Sequence, residues 1–431
     1  MTASRDAAFL ALGEDLLSAG YLYFDYVFEA ADDAEAAALH LCQEQSTALW
    51  HRPGVDEDYR PRHAARLVEL QLLGELERPS LPTRLQARKW QRARVRLGHP
   101  VANFGPRLPN LLTVAAGEGA FFTPGIAAIR LEDVVFPPDY LQAFAGPRFG
   151  VAGLRALLGV LERPLICGVV KPNIGLAPAD FAELAYQAWR GGADIAKDDE
   201  MQADVDYSPL LVRARETFER LRRAEAETGE RKLFLANVTD EIDVLMEHHD
   251  GIFDLGGDRG AIMLNAVPVG LSAARMLSKR GRLPLFAHFD MIAATSRVPT
   301  FGISTLVWTR LQRLAGFDAI IMPGLGSRMG TSVDEVCRDV RACLEPWGNI
   351  APSLPLPGGS DWAGTLAPMV NTLQTRDFGI IPGRGIFGHP DGPAGGARSI
   401  RDAWELLSRG LDPAQHRDHT EALRLAYESF A

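Results

Sequence analysis

Cysteine is scarce in this 431-residue chain: Cys42, Cys167, Cys337 and Cys343 are the four, with no C-x-x-C pair and no zinc-type spacing. That argues against a disulfide framework and a structural zinc, and a reducing, cytoplasmic setting is expected. No apolar run reaches the ~18 residues of a membrane span. The opening stretch MTASRDAAFLALGEDLL carries Asp6, Glu14 and Asp15 where a signal peptide would be uncharged. Basic residues are in deficit, with 45 Lys and Arg against 55 Asp and Glu and a formal net charge of −10. A general nucleic-acid or anionic-membrane surface is thereby disfavoured, so any bound phosphate must be met by a local cluster. Low-complexity tracts and internal sequence repeats are also missing.

What is present is a composition with 47% hydrophobic residues, enough for a sizeable core, and a length that suits two domains. The first third reads as mixed α+β. GYLYFDYVFEA is an aromatic, β-branched strand, DDAEAAALHLCQEQ is a helix opening on Asp residues, and ARLVELQLL and RARVRL are further strands. A Pro/Gly-rich stretch around VVFPPDYLQAFAGPRFGVAG places a boundary near residue 140, giving domains 1–140 and 141–431.

Beyond it, short apolar strands alternate with amphipathic helical segments: LICGVVKPN, ADIAKDDE, KLFLANVTD, AIMLNAVPVG, PLFAHFD, AIIMPGLG, APSLPLPGG and DFGIIPGRG. Eight such units predict a (β/α)₈ barrel, whose active site lies at the C-terminal ends of the strands. Polar residues collect at those ends. They are Lys171 and Asn173 on the first, Lys197, Asp198, Asp199 and Glu200 on the second, Asn237 and Asp240 on the third, Asn265 on the fourth, and His288 and Asp290 on the fifth.

Strand alternation puts Lys197 and Asp199 on one face and Asp198 on the other, with Glu200 at the rim, free to turn inward. Asp199 and Glu200 supply oxygen ligands of the kind Mg²⁺ prefers. An ammonium cannot ligate a cation, so the same spacing also fits a plain ion pair with Lys197; a carbamate formed by CO₂ on Lys197 would instead add a third oxygen ligand. Lys171 is placed to deliver or remove a proton. The glycine-rich turns Gly358–Gly359–Ser360 and Gly383–Arg384–Gly385 end the seventh and eighth strands, where barrels often nest a phosphate on backbone N–H groups. Arg384 would add a guanidinium fork there. A lone histidine ending an apolar strand, as His288 does, is ordinarily a hydrogen-bonded core residue, and His389 reads as structural, while Asn237 and Asn265 could orient the metal or its ligands.

GGADIAKDDE resembles the ribulose-bisphosphate carboxylase signature G-x-D-F-x-K-x-D-E, with Ile195 in place of the aromatic residue. GVVKPNIGL, ANFGPRLPNLL and GRGIFGHPDGPAGGARSIRDAWE resemble other stretches of that family, together covering most of the chain. The resemblance implies an α/β protein with a ferredoxin-like N-terminal domain and a C-terminal TIM barrel. It further implies Mg²⁺ on carbamylated Lys197 with Asp199 and Glu200, and a homodimer with sites at the subunit interface. Glu44 in CQEQSTALW resembles the glutamate that the family sends into the partner's site, and the family position of His288 implies that it lines the catalytic site.

Departures from the carboxylases point elsewhere than CO₂ fixation. The second lysine of K-P-K is Asn173, Phe289 follows His288 where an arginine is usual, and no asparagine lies near Gly119. The loop after the sixth strand offers Arg328 instead of a lysine. The chain is thus similar to the RuBisCO-like branch, whose members act on phosphorylated keto sugars. The leading expectation is a decarboxylase of 3-oxo-isoapionate 4-phosphate. A C–C hydrolase or transcarboxylase on the same substrate is one alternative. Another is a tautomerase or isomerase of a methylthio-sugar phosphate, with Phe289, Met291 and Met329 lining an apolar pocket, and a last is a catalytically inactive sugar-phosphate-binding regulator.

Overall fold

The computed structural model describes residues 7–48, 58–326 and 328–431, and its backbone divides into two compact units, Met1–Phe144 with Ile292–Leu311, and Ala145–Met291 with Gln312–Ala431.

The first unit is built on an antiparallel sheet of β1 (Tyr21–Ala31), β2 (Arg66–Leu76), β3 (Trp90–Pro100) and β4 (Ile126–Val135), in the spatial order β4-β1-β3-β2. Helix Ala34–Glu44 connects β1 to β2, and helix Leu108–Ala116 connects β3 to β4. This is the ferredoxin-like β-α-β-β-α-β arrangement. The first helix starts where the sequence signals it should: the Asp33 carboxylate accepts from the backbone N–H groups of Glu35 and Ala36. β4 has no counterpart among the expected strands, because IAAIRLEDVV mixes small, apolar and charged residues without a clean period of two. Its Arg130 is nevertheless buried.

The second unit carries the barrel. Its parallel strands are β5 (Leu165–Val169), β6 (Ile195–Lys197), β7 (Leu233–Asn237), β8 (Gly260–Asn265) and β9 (Leu285–His288), then β11 (Ala319–Pro323), β12 (Leu354–Gly358) and β13 (Gly379–Ile380). All eight expected strands are present. Each is hydrogen-bonded to its neighbour from β12 round to β13, and β12 and β13 are themselves in contact, so the sheet returns on itself. Between β9 and β11 the chain makes a two-residue strand, β10 (Gly302–Ile303), which pairs with β4 in the sheet of the first unit. That sheet therefore takes in a strand from within the 141–431 range.

Alternation explains how the barrel positions its polar ends. Inward positions are apolar in the lower layers: Leu165 and Cys167, Ile195, Leu233 and Leu235, Ala261 and Met263, and Phe286 are fully buried in one cluster. The next inward position on the second to fifth strands is Lys197, Asn237, Asn265 and His288. The apolar layers fix the register, and the register delivers these four side chains to the mouth. No helix among the described residues is long and apolar enough to cross a membrane.

Candidate functional site

The strand ends of the second unit surround a cavity of about 460 Å³. Lys171, Asn173, Lys197, Glu200, His288, Arg328, Gly358, Gly359, Ser360, Gly383 and Arg384 all line it. Eleven residues singled out from sequence thus share one wall.

Its chemistry centres on two lysine–carboxylate pairs. Lys171 Nζ lies 2.6 Å from Asp199 Oδ2, and Lys197 Nζ lies 3.1 Å from Glu200 Oε2 and 2.8 Å from the Asp198 carbonyl oxygen. Each carboxylate therefore has its own lysine, where the sequence had suggested two carboxylates beside one. Burial alone would raise the Glu200 carboxyl, but the Lys197 ammonium and then His288 outweigh it and pull the group down to about 2. His288 Nε2 is 3.5 Å from Glu200 Oε2, and the imidazole stacks on Phe289 with centroids 4.8 Å apart.

Asparagines fix the turn that carries the acids. Asn237 Nδ2 donates to the carbonyl oxygens of Asp199 and Glu200, at 3.1 and 3.0 Å, and Asn265 Nδ2 donates to the Glu200 carbonyl at 3.0 Å. They hold the backbone of the acidic turn. Two polar atoms beside it are left over: Asn265 Oδ1 and His288 Nδ1 are buried without a hydrogen-bond partner. An unmet acceptor oxygen on the amide that grips the Glu200 carbonyl, taken with the two carboxylates of that turn, is a set of oxygens that suits a hard cation or its water shell. Among the described residues no three His, Cys, Asp or Glu side chains converge as metal ligands, so a cation at Asp199 and Glu200 would complete its shell with other oxygens, such as Asn265 Oδ1, water or a modified Lys197.

Asp198 faces outward and is fully buried against Arg213 of helix Leu210–Thr228, with Oδ1 2.9 Å from Nε and Oδ2 3.1 Å from Nη2. Burial pushes its carboxyl up, against the pull of Arg213. The same carboxylate accepts from the Asn237 backbone N–H at 2.9 Å, tying β6 to β7 just below the pocket. Arg213 was not found from sequence; an arginine within an otherwise solvated-looking helix gives no spacing signal, although the outward-facing Asp198 required a partner.

The two glycine-rich turns are packed against each other. Ser360 has φ of 68°, a left-handed conformation costly for a residue with a side chain and one that clusters at ligand-binding turns. Gly385 lies behind the cavity wall, where an added Cβ would come 2.3 Å from the Asp361 carbonyl oxygen. His389 is buried, with Nδ1 accepting from the Asp391 N–H at 3.1 Å, so Nε2 donates to the Ala422 carbonyl at 2.9 Å. Phe289 and Met329 line the cavity, whereas Met291 is not in its wall and is exposed. Glu44 ends its helix in the first unit with an exposed side chain. Leu49 and Trp50 of the same motif, and Ser327 beside Arg328, lie outside the described residues.

Residues 150–430 match the ribulose bisphosphate carboxylase large chain, catalytic domain. The ribulose bisphosphate carboxylase-like protein 2 of Rhodopseudomonas palustris is 53% identical over the whole of this chain and 99% of its own length. A crystal structure of a rubisco-like protein from Burkholderia fungorum superposes with a TM-score of 0.87 at 31% identity, covering 95% of this chain and all of that one. More distant relatives carry activity names. The 3-oxo-isoapionate-4-phosphate decarboxylase of Rhizobium rhizogenes is 32% identical over 92% of this chain and 95% of its own length. The 3-oxo-isoapionate-4-phosphate transcarboxylase/hydrolase of Xanthobacter autotrophicus is 31% identical over 94% of this chain and 98% of its own. The chain belongs to the ribulose bisphosphate carboxylase large-chain family, among its RuBisCO-like proteins.

Proposed function

We propose that this protein is a Mg²⁺-dependent lyase that removes CO₂ from a phosphorylated keto sugar acid, with 3-oxo-isoapionate 4-phosphate as the substrate to test first. The observation that carries the reading is the pairing of Lys171 with Asp199 and Lys197 with Glu200 in a cavity that also presents Arg328 and Arg384. Cations outnumber carboxylates in that wall, which favours a substrate with two anionic groups. Names borne by two relatives support the same substrate class.

Asp199, Glu200 and a carbamate on Lys197 would hold Mg²⁺, which when bound supplies Lewis-acid polarisation of a substrate carbonyl. The protein's own groups do the rest. The turns Gly358–Ser360 and Gly383–Arg384 bind the phosphate, and Arg328 receives the carboxylate. In the β-keto acid the bond to the carboxyl carbon breaks, CO₂ departs, and the electron pair passes into the ketone as an enediolate. Lys171 then delivers a proton to the carbon that lost CO₂. None of these steps needs a group to receive incoming CO₂, in keeping with Asn173 and Phe289 at positions where the carboxylases differ. The protein works as a homodimer in which Glu44 of one copy enters the site of the other.

Incubation with Mg²⁺, bicarbonate and 3-oxo-isoapionate 4-phosphate in deuterated water tests this reading. Stoichiometric CO₂ release is expected, with one deuterium in the product; deuterium exchange into unconsumed substrate with no CO₂ would refute decarboxylation. That second outcome belongs to a tautomerase or isomerase, which the apolar part of the wall favours: Val169, Ile321, Phe289, Met329 and Ile381 could take a methylthio substituent. Cleavage yielding a carboxylate product rather than CO₂ would indicate the hydrolase or transcarboxylase.

A further inference from the structure

Arg384 lines the cavity at the end of β13, is exposed, and has no hydrogen bond or ion pair to its guanidinium among the described residues. What touches it is aromatic. Its Cζ lies 5.5 Å from the ring centroid of Phe430, in helix Glu421–Phe430. The Phe430 ring is 5.8 Å from Trp362 and 6.4 Å from His389, and Trp362 meets Tyr427 edge-on at 5.0 Å. Trp362 follows Ser360 and Asp361 in the turn after β12. The turn after β13 is pressed onto it so closely that a Cβ on Gly385 would come 2.7 Å from Trp362 Cβ. One aromatic cluster thus joins both glycine-rich turns to one helix.

An aromatic face does something for a guanidinium that a carboxylate cannot. It restrains a long, flexible side chain by attraction to the ring quadrupole, yet it neither neutralises the charge nor occupies the five N–H donors. A carboxylate in the same place would compete with the anion to be bound.

We propose that Phe430 is a positioning residue for anion binding: its ring holds Arg384 at the cavity wall and leaves the charge and donors of the guanidinium free for the substrate phosphate. The inference rests on the reading of Gly358–Ser360 and Gly383–Arg384 as a phosphate site.

The test is titration of the full chain with inorganic phosphate, followed by phosphorus-31 NMR. The series is wild type, Arg384→Ala, Phe430→Leu, Phe430→Trp and the double variant Arg384→Ala/Phe430→Leu. Arg384→Ala should weaken binding roughly tenfold or more, as loss of a charge-assisted hydrogen bond does. Phe430→Leu should weaken it about three- to fivefold, and Phe430→Trp, the stronger cation–π partner, should bind at least as tightly as wild type. In the Arg384→Ala background Phe430→Leu should have no further effect, because the ring then has nothing to position. Weak binding by Arg384→Ala with unaltered binding by Phe430→Leu would overturn the positioning role alone. Additive losses in the double variant, or a Trp variant weaker than wild type, would make Phe430 merely structural. No phosphate binding by wild type, or undiminished binding by Arg384→Ala, would overturn the phosphate site and this inference with it.

Discussion

Lys197 is a fully buried amine whose nearest acid is three residues along its own turn, 3.1 Å away. Removing it should separate chemistry from folding. Lys197→Ala is expected to lower Mg²⁺-dependent turnover by roughly 10²–10³-fold or more, as loss of electrostatic stabilisation does. Circular dichroism should show the barrel intact, and full activity would remove the carbamate from the mechanism. Asp198, one residue on, is the opposite case. Its pairing with Arg213 is fully buried on both sides, so Arg213→Ala strands a carboxylate and should cost about 3–5 kcal/mol in denaturant unfolding, with part recovered by adding Asp198→Asn. A loss below 1 kcal/mol would mean that water reaches the pair. The sequence made Lys197, Asp199 and Glu200 legible because charge at a strand end is conspicuous. Arg213 was not legible because its partner lies 15 residues away across a strand–helix contact.

At the scale of elements, the eight barrel strands could be read because each is a short apolar run closed by a polar residue or a Pro/Gly turn, and Asn237, Asn265 and His288 fall in step with Lys197 through alternation. β4 could not, since Arg130, Glu132 and Asp133 break its apolar pattern. Also hidden was the device that joins β12 to β13. Asp361 is buried and accepts from the Ile381 N–H at 2.9 Å, and burial pushes its carboxyl up to about 6 against the pull of that backbone group. A carboxyl with a raised folded-state pKa binds its proton more tightly when folded. Its ionisation therefore erodes stability as pH climbs from the ordinary carboxyl range, ~4, through about 6. Asp361→Asn, which keeps the acceptor, should be more stable than wild type by about 1–3 kcal/mol at pH 8 and equal to it near pH 3. Unfolding curves at the two pH values decide it; a constant difference would show that the carboxyl does not titrate there.

Across the whole molecule, the family and its two sheets were legible from motifs that span most of the chain. Less so was the excursion after β9, whose two-residue β10 pairs in the sheet of the first unit, too short to carry a periodic signal. Glu44 is exposed at the end of its helix, as a residue serving another copy would be. If two copies share each site, Glu44→Gln and Lys197→Ala should each be inactive alone, and co-assembled at equal amounts they should recover about a quarter of wild-type activity. Kinetics on the mixed assembly give the answer, and no recovery would confine each site to one chain. Carbon-13 NMR of the wild-type protein, equilibrated with Mg²⁺ and labelled bicarbonate, probes the proposed cation site most directly. A carbamate resonance that grows with Mg²⁺ and disappears in Lys197→Ala is expected; its absence at saturating Mg²⁺ and bicarbonate would contradict a metal held by Lys197, Asp199 and Glu200.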